Sequence, residues 1–111
     1  MAMNTVMMKK IERFTMSNIQ RIKDRITKLQ DNLFKISYEI DVSLEDELGI
    51  LIEQDIAYQE EIMIEDLQEK TENNLIKGYI VISFNDVEDY EIVFGIASQF
   101  EMLSSGMSLI E

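Results

Sequence analysis

Phe34-Lys35-Ile36-Ser37-Tyr38-Glu39-Ile40-Asp41-Val42-Ser43-Leu44 alternates apolar and polar residues without a break, the period-2 pattern of a strand with one face buried and one face wet. A helical reading through Leu33, Ile36, Ile40 and Leu44 leaves Tyr38 and Val42 on other faces, so the strand reading is preferred. A strand at this point takes the chain out of the all-helical class.

Upstream, Ser17-Asn18-Ile19-Gln20 has the form of a capping box, in which a serine oxygen accepts from a free backbone N–H and a glutamine reaches back. Ile19, Ile22, Ile26, Leu29, Leu33 and Ile36 follow at steps of three and four, which predicts an amphipathic helix from Ser17 to about Leu33. A dimeric coiled coil is the competing reading of that stripe, but it spans under three heptads, so a core-facing helix is favoured. Val6, Met7, Met8, Ile11 and Phe14 fit neither period, and a short strand or helical extension is expected there.

Downstream, Ser43-Leu44-Glu45-Asp46 is a second capping box with carboxylates in the first turn. Leu48, Leu51, Ile52, Ile56, Ile62, Met63 and Leu67 then predict a helix buried on a broad face, running to about Lys70 with a break near Tyr58. Asn73-Asn74 reads as a turn. Tyr79–Phe84 and Tyr90–Phe94 are rich in β-branched and aromatic residues and read as a hairpin closed by Asn85–Asp89. Ile96–Leu103 forms a short terminal helix. The expected fold is therefore α+β: two main helices packed on one face of a small antiparallel sheet, in the order α-β-α-β-β with a short C-terminal α. At 111 residues the chain is expected to make one domain over 1–111, with 1–16 and 104–111 as fraying ends.

Composition excludes several classes of chemistry. There is no cysteine and no histidine, which removes disulfides, thiolate nucleophiles, cysteine-ligated metals and the usual base of Ser-His and Cys-His catalysis. No catalytic residue, cofactor or metal site is therefore assigned, and the chain is read as a non-enzyme. Its many carboxylates fit neither the EF-hand nor the Glu-x-x-His di-iron pattern; Asp86, Glu88 and Asp89 come nearest to a hard-cation site, and their plain role is a solvated turn. A carboxylate enzyme would need two convergent acids with separated pKa values. The four scattered glycines make no phosphate loop.

The longest apolar run, Ile92–Ala97, is far short of the roughly 20 residues a membrane helix needs. Lys9 and Lys10 are followed by Ile11-Glu12-Arg13-Phe14 rather than an apolar stretch, so no secretory signal and a cytoplasmic location are expected.

Charge is the most informative feature. The net charge is −12, yet residues 1–35 hold eight of the ten basic residues against three acids. The bland explanation is that the basic first helix packs against, or next to, the acidic middle of the same fold; the sharper ones are a nucleic-acid contact or an acidic docking surface. Overall acidity disfavours direct nucleic-acid binding by Arg21, Lys23, Arg25 and Lys28.

From Glu45 to Glu69 there are ten acids in 25 residues. On a helix rising ~1.5 Å per residue they recur about every 3.7 Å, close to the ~3.4 Å phosphate spacing of a DNA strand. The acids do not share one line: Asp46, Glu53 and Glu60 fall on one face and Glu61, Glu65 and Glu69 on another.

Asp46, Glu53, Asp55, Glu60, Glu61, Glu65, Asp66 and Glu69 are accordingly the candidate partner-binding residues. The expected function is that of an inhibitor or regulator whose acidic surface mimics nucleic acid and occupies a basic site on a nucleic-acid-handling protein. Seventeen isoleucines against three alanines and no proline suit an AT-rich gene. Small size, acidity and such coding are similar to the general style of phage or plasmid inhibitors, including anti-restriction and anti-CRISPR proteins. The alternative is a homodimeric accessory protein, such as a chaperone, antitoxin or immunity protein, acting through an apolar surface.

Overall fold

The computed structural model describes residues 16–106. The element order is α1 (Met16–Asp24), β1 (Ile26–Gln30), β2 (Leu33–Asp41), a single tight turn of helix (Val42–Leu44), α2 (Glu45–Ile50, continuing as a widened turn over Leu51–Ile56), β3 (Ile62–Glu72), β4 (Leu75–Phe84) and α3 (Tyr90–Ser104). The strands form one antiparallel sheet in the order β1-β2-β4-β3. The α+β class and the antiparallel sheet stand as read from the sequence, while the element order is corrected to α-β-β-α-β-β-α. The fraying expected at the ends, and the strand or extension expected before Ser17, lie outside the described residues except at their inner margins, where Met16 and Ser104 are helical.

β2 is the strand that the alternation announced. Phe34, Ile36, Tyr38 and Ile40 are buried, and the residues between them face the other way. It pairs with β4 over nine positions, from Leu33 opposite Ser83 to Asp41 opposite Leu75. The inward residues of β4, Ile76, Ile80, Ile82 and Phe84, continue the same apolar face. Ile22 of α1, Leu48, Leu51, Ile52 and Ile56 of α2, and Val93, Ile96, Phe100 and Leu103 of α3 close over it as a single hydrophobic cluster. Each such fully buried side chain is worth about 1.5–3 kcal/mol of transfer free energy. The opposite face, with Lys35, Ser37, Tyr79 and Ser83, is left partly open to solvent.

Four local readings are corrected. First, the long initial helix stops at Asp24, and Thr27 to Gln30 form an exposed edge strand, so the three-and-four stripe ran across three separate elements; Leu29 is 48% exposed. The turn into β2 uses Asn32 at φ 64°, a left-handed conformation that asparagine tolerates. Second, Ser17 is already inside α1, and α2 has no side-chain cap at Leu44; it is Asp41 that accepts from the Ser43 N–H at 2.9 Å.

Third, the second helix ends near Ile56, where its hydrogen bonding widens and the Ala57 N–H donates to the Ile52 carbonyl at 3.0 Å. Ile62–Glu72 is a strand. A bulge between Ile64 and Asp66 inserts one residue, so the core-side residues Ile62, Ile64 and Leu67 are spaced by two and then three and imitate a helical period. Fourth, Tyr90–Phe94 belongs to α3 and not to a hairpin: Asp89 caps the helix by accepting from the Glu91 N–H at 2.9 Å. The Asn73-Asn74 turn stands, with φ of 54° and 65° at its two asparagines, as a tight two-residue hairpin requires.

Gly78 sits where β4 and β3 approach too closely for a side chain: a Cβ there would lie 2.2 Å from the Gln68 carbonyl oxygen and 2.7 Å from Glu69 Cβ. Helices α1 and α3 are joined by one buried carboxylate. Glu101 is 6% exposed and accepts from Arg25 Nε at 2.9 Å and Nη2 at 2.8 Å, from Arg21 Nε at 3.1 Å and from the Ser105 hydroxyl at 3.3 Å. Arg25 also donates to the Ser37 carbonyl at 3.2 Å, tying the pair to β2. Burial pushes the Glu101 carboxyl up, but the hydrogen bonds from Arg25 and Arg21 outweigh it and hold the group below its ordinary value.

Two outcomes follow from this packing. Gly78→Ala lowers the stability measured by urea unfolding by about 1–3 kcal/mol, the usual cost of forcing volume into a filled site. Glu101→Ala costs about 3 kcal/mol because it strands Arg25, which is largely buried. The carboxyl is depressed in the folded state, so its contribution is complete above the unfolded value of about 4.3 and is lost as pH falls through the folded value. Glu101→Gln therefore flattens part of the acid arm of a stability–pH curve and leaves the neutral region parallel to wild type.

Candidate acidic docking surface between α2 and β3

The sheet order converts a sequence asymmetry into a spatial one. β1, next to the arginine-bearing α1, is one edge, and β3 is the other, three strand spacings or roughly 14 Å away. The bases are largely consumed on their own side. Arg21 and Arg25 bind Glu101, and Lys28 reaches Glu88 at 3.0 Å and Asp31 at 3.4 Å. Lys35 lies over the Tyr79 ring at 4.8 Å. The basic first helix thus does meet acids of its own fold, but those of the α3 region and not of the acidic middle.

The eight candidate residues occupy three elements instead of one helix. Asp46 is in the first turn of α2, Glu53 and Asp55 are on its widened turn, Glu60 and Glu61 precede β3, and Glu65, Asp66 and Glu69 are on β3. The regular ~1.5 Å helical ladder of carboxylates does not exist, since a strand rises about 3.3 Å per residue. Glu65 accepts from the Ser83 hydroxyl at 2.5 Å, and Asp66 accepts from the Leu67 N–H and Gln68 Nε2, both at 2.9 Å. Among the described residues none of the eight forms a salt bridge with a lysine or arginine; the ion pairs of the β3–β4 end go to Glu72, from Lys70 at 3.3 Å and Lys77 at 4.0 Å.

Two of the eight, Glu53 and Glu69, are brought together with Glu45 around a hollow of about 230 Å³ between α2 and β3. Its remaining lining is Leu48, Gly49, Ile52 and Leu67. Leu48 and Ile52 belong to the core and are 2% and 8% exposed, so the hollow has an apolar floor and a carboxylate rim. Gly49 faces open space, with nothing within 4 Å of where its Cβ would be. The sequence reading missed Glu45, Leu48, Gly49, Ile52 and Leu67 as site residues; a glycine inside an otherwise strong helical pattern was the available signal.

Glu69 is positioned from inside the fold. Tyr38 stacks on Phe100, with centroids 4.7 Å apart and planes 4° from parallel, and its hydroxyl donates to Glu69 Oε2 at 2.5 Å. The bond crosses β4 at Gly78, which lies opposite both residues. Burial, then the hydrogen bond to Glu69 and its charge, push the Tyr38 phenol far above its ordinary value.

Of the residues Asp86, Glu88 and Asp89, two carboxylates have other employment: Glu88 accepts from the Asn32 N–H at 2.9 Å and from Lys28, and Asp89 caps α3, while Asp86 accepts from Asn32 Nδ2 through its backbone carbonyl at 3.1 Å. Among the described residues no group of three or more acids is placed to hold a metal ion, and no helix is long and apolar enough to cross a membrane. Comparison with known protein families, with curated proteins and with solved structures finds no match to this chain.

Because the Tyr38 phenol remains protonated at pH values where an ordinary phenol ionises, Tyr38→Phe leaves unchanged the phenolate absorbance gained between about pH 9 and 11. Loss of phenolate signal on substitution would show that Tyr38 ionises in that range.

Proposed function

We propose that this chain is a non-enzymatic binding protein whose acidic α2–β3 surface occupies the basic, nucleic-acid-binding site of a partner protein. The observation that carries the reading is the uncompensated charge: among the described residues Asp46, Glu53, Asp55, Glu60, Glu61, Glu65, Asp66 and Glu69 form no salt bridge with a lysine or arginine, while Arg21 and Arg25 pair with Glu101. Such a surface costs the isolated protein self-repulsion and is relieved by a cationic partner. A site that neutralises phosphates with lysine and arginine supplies that partner chemistry. Mimicry here rests on a patch of carboxylates on a helix, a turn and a strand, not on a strand-like spacing along one helix. Inhibition of nucleic-acid enzymes, as in anti-restriction or anti-CRISPR activity, is the biological setting that this mode suits.

The second reading, a homodimeric accessory protein, draws on the face of the sheet that no helix covers among the described residues, where Met63 is 56% exposed. Light scattering on the full chain separates the two, since a strict monomer at high concentration removes the dimer.

The direct test captures partners from a nuclease-treated bacterial lysate on the immobilised chain and then asks whether the chain displaces labelled duplex from the captured protein. The expected result is displacement that weakens steeply between about 0.05 and 0.2 M salt. Reversal of Glu53, Glu60, Glu61 and Glu65 to lysine lowers the affinity at least about tenfold, or ~1.4 kcal/mol. A complex indifferent both to salt and to these reversals would sink the proposal.

A further inference from the structure

β3 is an edge strand of eleven residues, paired with β4 alone, and no strand lies beyond it among the described residues. A free edge of this length presents a row of outward main-chain donors and acceptors that a further strand can use. Its side chains select what can pair. Glu65, Asp66, Glu69 and Glu72 stand against Lys70 alone, so two β3 edges from separate copies would bring like charges opposite each other, an unfavourable cross-strand arrangement. A strand carrying lysine or arginine meets the opposite situation.

The hollow beside the edge has the shape of chemistry such a strand would bring. Leu67 and Glu69, which point toward α2 from β3, line it together with Leu48, Gly49, Ile52, Glu45 and Glu53. A lysine or arginine side chain has an apolar stem and a cationic tip; the floor of Leu48 and Ile52 matches the stem, and the three rim carboxylates match the tip. Glu69 is held in place for this by the Tyr38 hydroxyl at 2.5 Å. The widened turn at Leu51–Ile56 presents Glu53 on the same rim.

We propose that β3 receives an extended, basic segment of a partner protein as a fifth strand, one of whose lysine or arginine side chains enters the hollow between α2 and β3. This inference rests on the reading of the acidic surface above and specifies how that surface is used. The specificity comes from main-chain pairing, and the charge supplies attraction and register.

The test uses the full chain and two synthetic peptides of about twelve residues, enough to match the eleven of β3 at ~3.3 Å each. Both alternate lysine and valine; in one, alternate backbone nitrogens are methylated, which leaves charge intact and removes the donors that strand pairing needs. The expected result is that the methylated peptide binds at least about tenfold more weakly, and that the unmodified one slows amide exchange along β3. Gly49→Ala, whose Cβ meets nothing within 4 Å, and Gly49→Leu both replace a helical glycine by a better helix former; the leucine, projecting from the lining of the hollow, weakens the unmodified peptide by a similar factor while the alanine variant keeps the protein no less stable than wild type.

Equal binding of the two peptides overturns strand addition and leaves the electrostatic reading of the surface standing. Failure of both peptides, with the protein partner still captured and still salt-sensitive, overturns it equally. Protection of β3 by a second copy of the chain in the absence of peptide overturns the choice of occupant.

Discussion

Nine residue pairs between β2 and β4 hold this molecule together. Each strand belongs to its own hairpin, β1-β2 or β3-β4, and each hairpin alone would expose a full apolar face, which is at best marginal in water. Joined, they make a continuous floor of Phe34, Ile36, Tyr38 and Ile40 beside Ile76, Ile80, Ile82 and Phe84. α1 and α3 cover the β2 side of that floor, α2 covers the side toward β3, and the Glu101 pairing with Arg21 and Arg25 fixes the first two against each other. The close approach at Gly78 lets Tyr38 reach across β4, so the same ladder also orients a carboxylate on the far edge.

The ladder also decides where the charge lies. Pairing β2 with β4 at the centre forces β1 and β3 to opposite edges, placing Arg25 and Lys28 at one and Glu65, Asp66 and Glu69 at the other. At the β1 edge Arg21 and Arg25 are taken up by Glu101, and Lys28 by Glu88 and Asp31. Among the described residues no such salt bridge reaches Glu53, Asp55, Glu65 or Asp66. The protein is therefore polarised as well as acidic, and its uncompensated carboxylates are gathered where the sheet also leaves main-chain groups unpaired.

The sequence was most legible where a single period ran undisturbed through one element. β2 has strict alternation and its start was read to within one residue, although the alternation ran on through Val42–Leu44, which form a tight helical turn, and the Asn73-Asn74 turn has side chains suited to left-handed φ. Errors arose where two signals interfered. In β3 the bulge shifted the apolar positions from a spacing of two to three, and ordinary helical arithmetic absorbed them. In α3 the β-branched run Ile92-Val93 suggested a strand, although Asp89 was a good cap and Val93, Ile96, Ala97, Phe100 and Leu103 recur as a helix requires. β1 carried almost no signal, since four of its five residues are exposed. The acidic residues were visible from composition alone, whereas the meeting of Glu45, Glu53 and Glu69 around an apolar-floored hollow depended on the β3–α2 juxtaposition that no local pattern reveals.

The two hairpins and the ladder that unites them also differ in what they ask of the unfolded chain. The turns at Asn32 and at Asn73-Asn74 bring together residues close in sequence, and hairpins of this kind close within about 1–10 μs. The β2–β4 ladder must first bring Asp41 to Leu75, and that ring closure consumes chain entropy before any of the shared core can repay it. Two quickly formed local units waiting on one slower encounter make the chain's time course a matter of docking, in which the helical α2 segment that shortens the connection between them has the greatest leverage on speed.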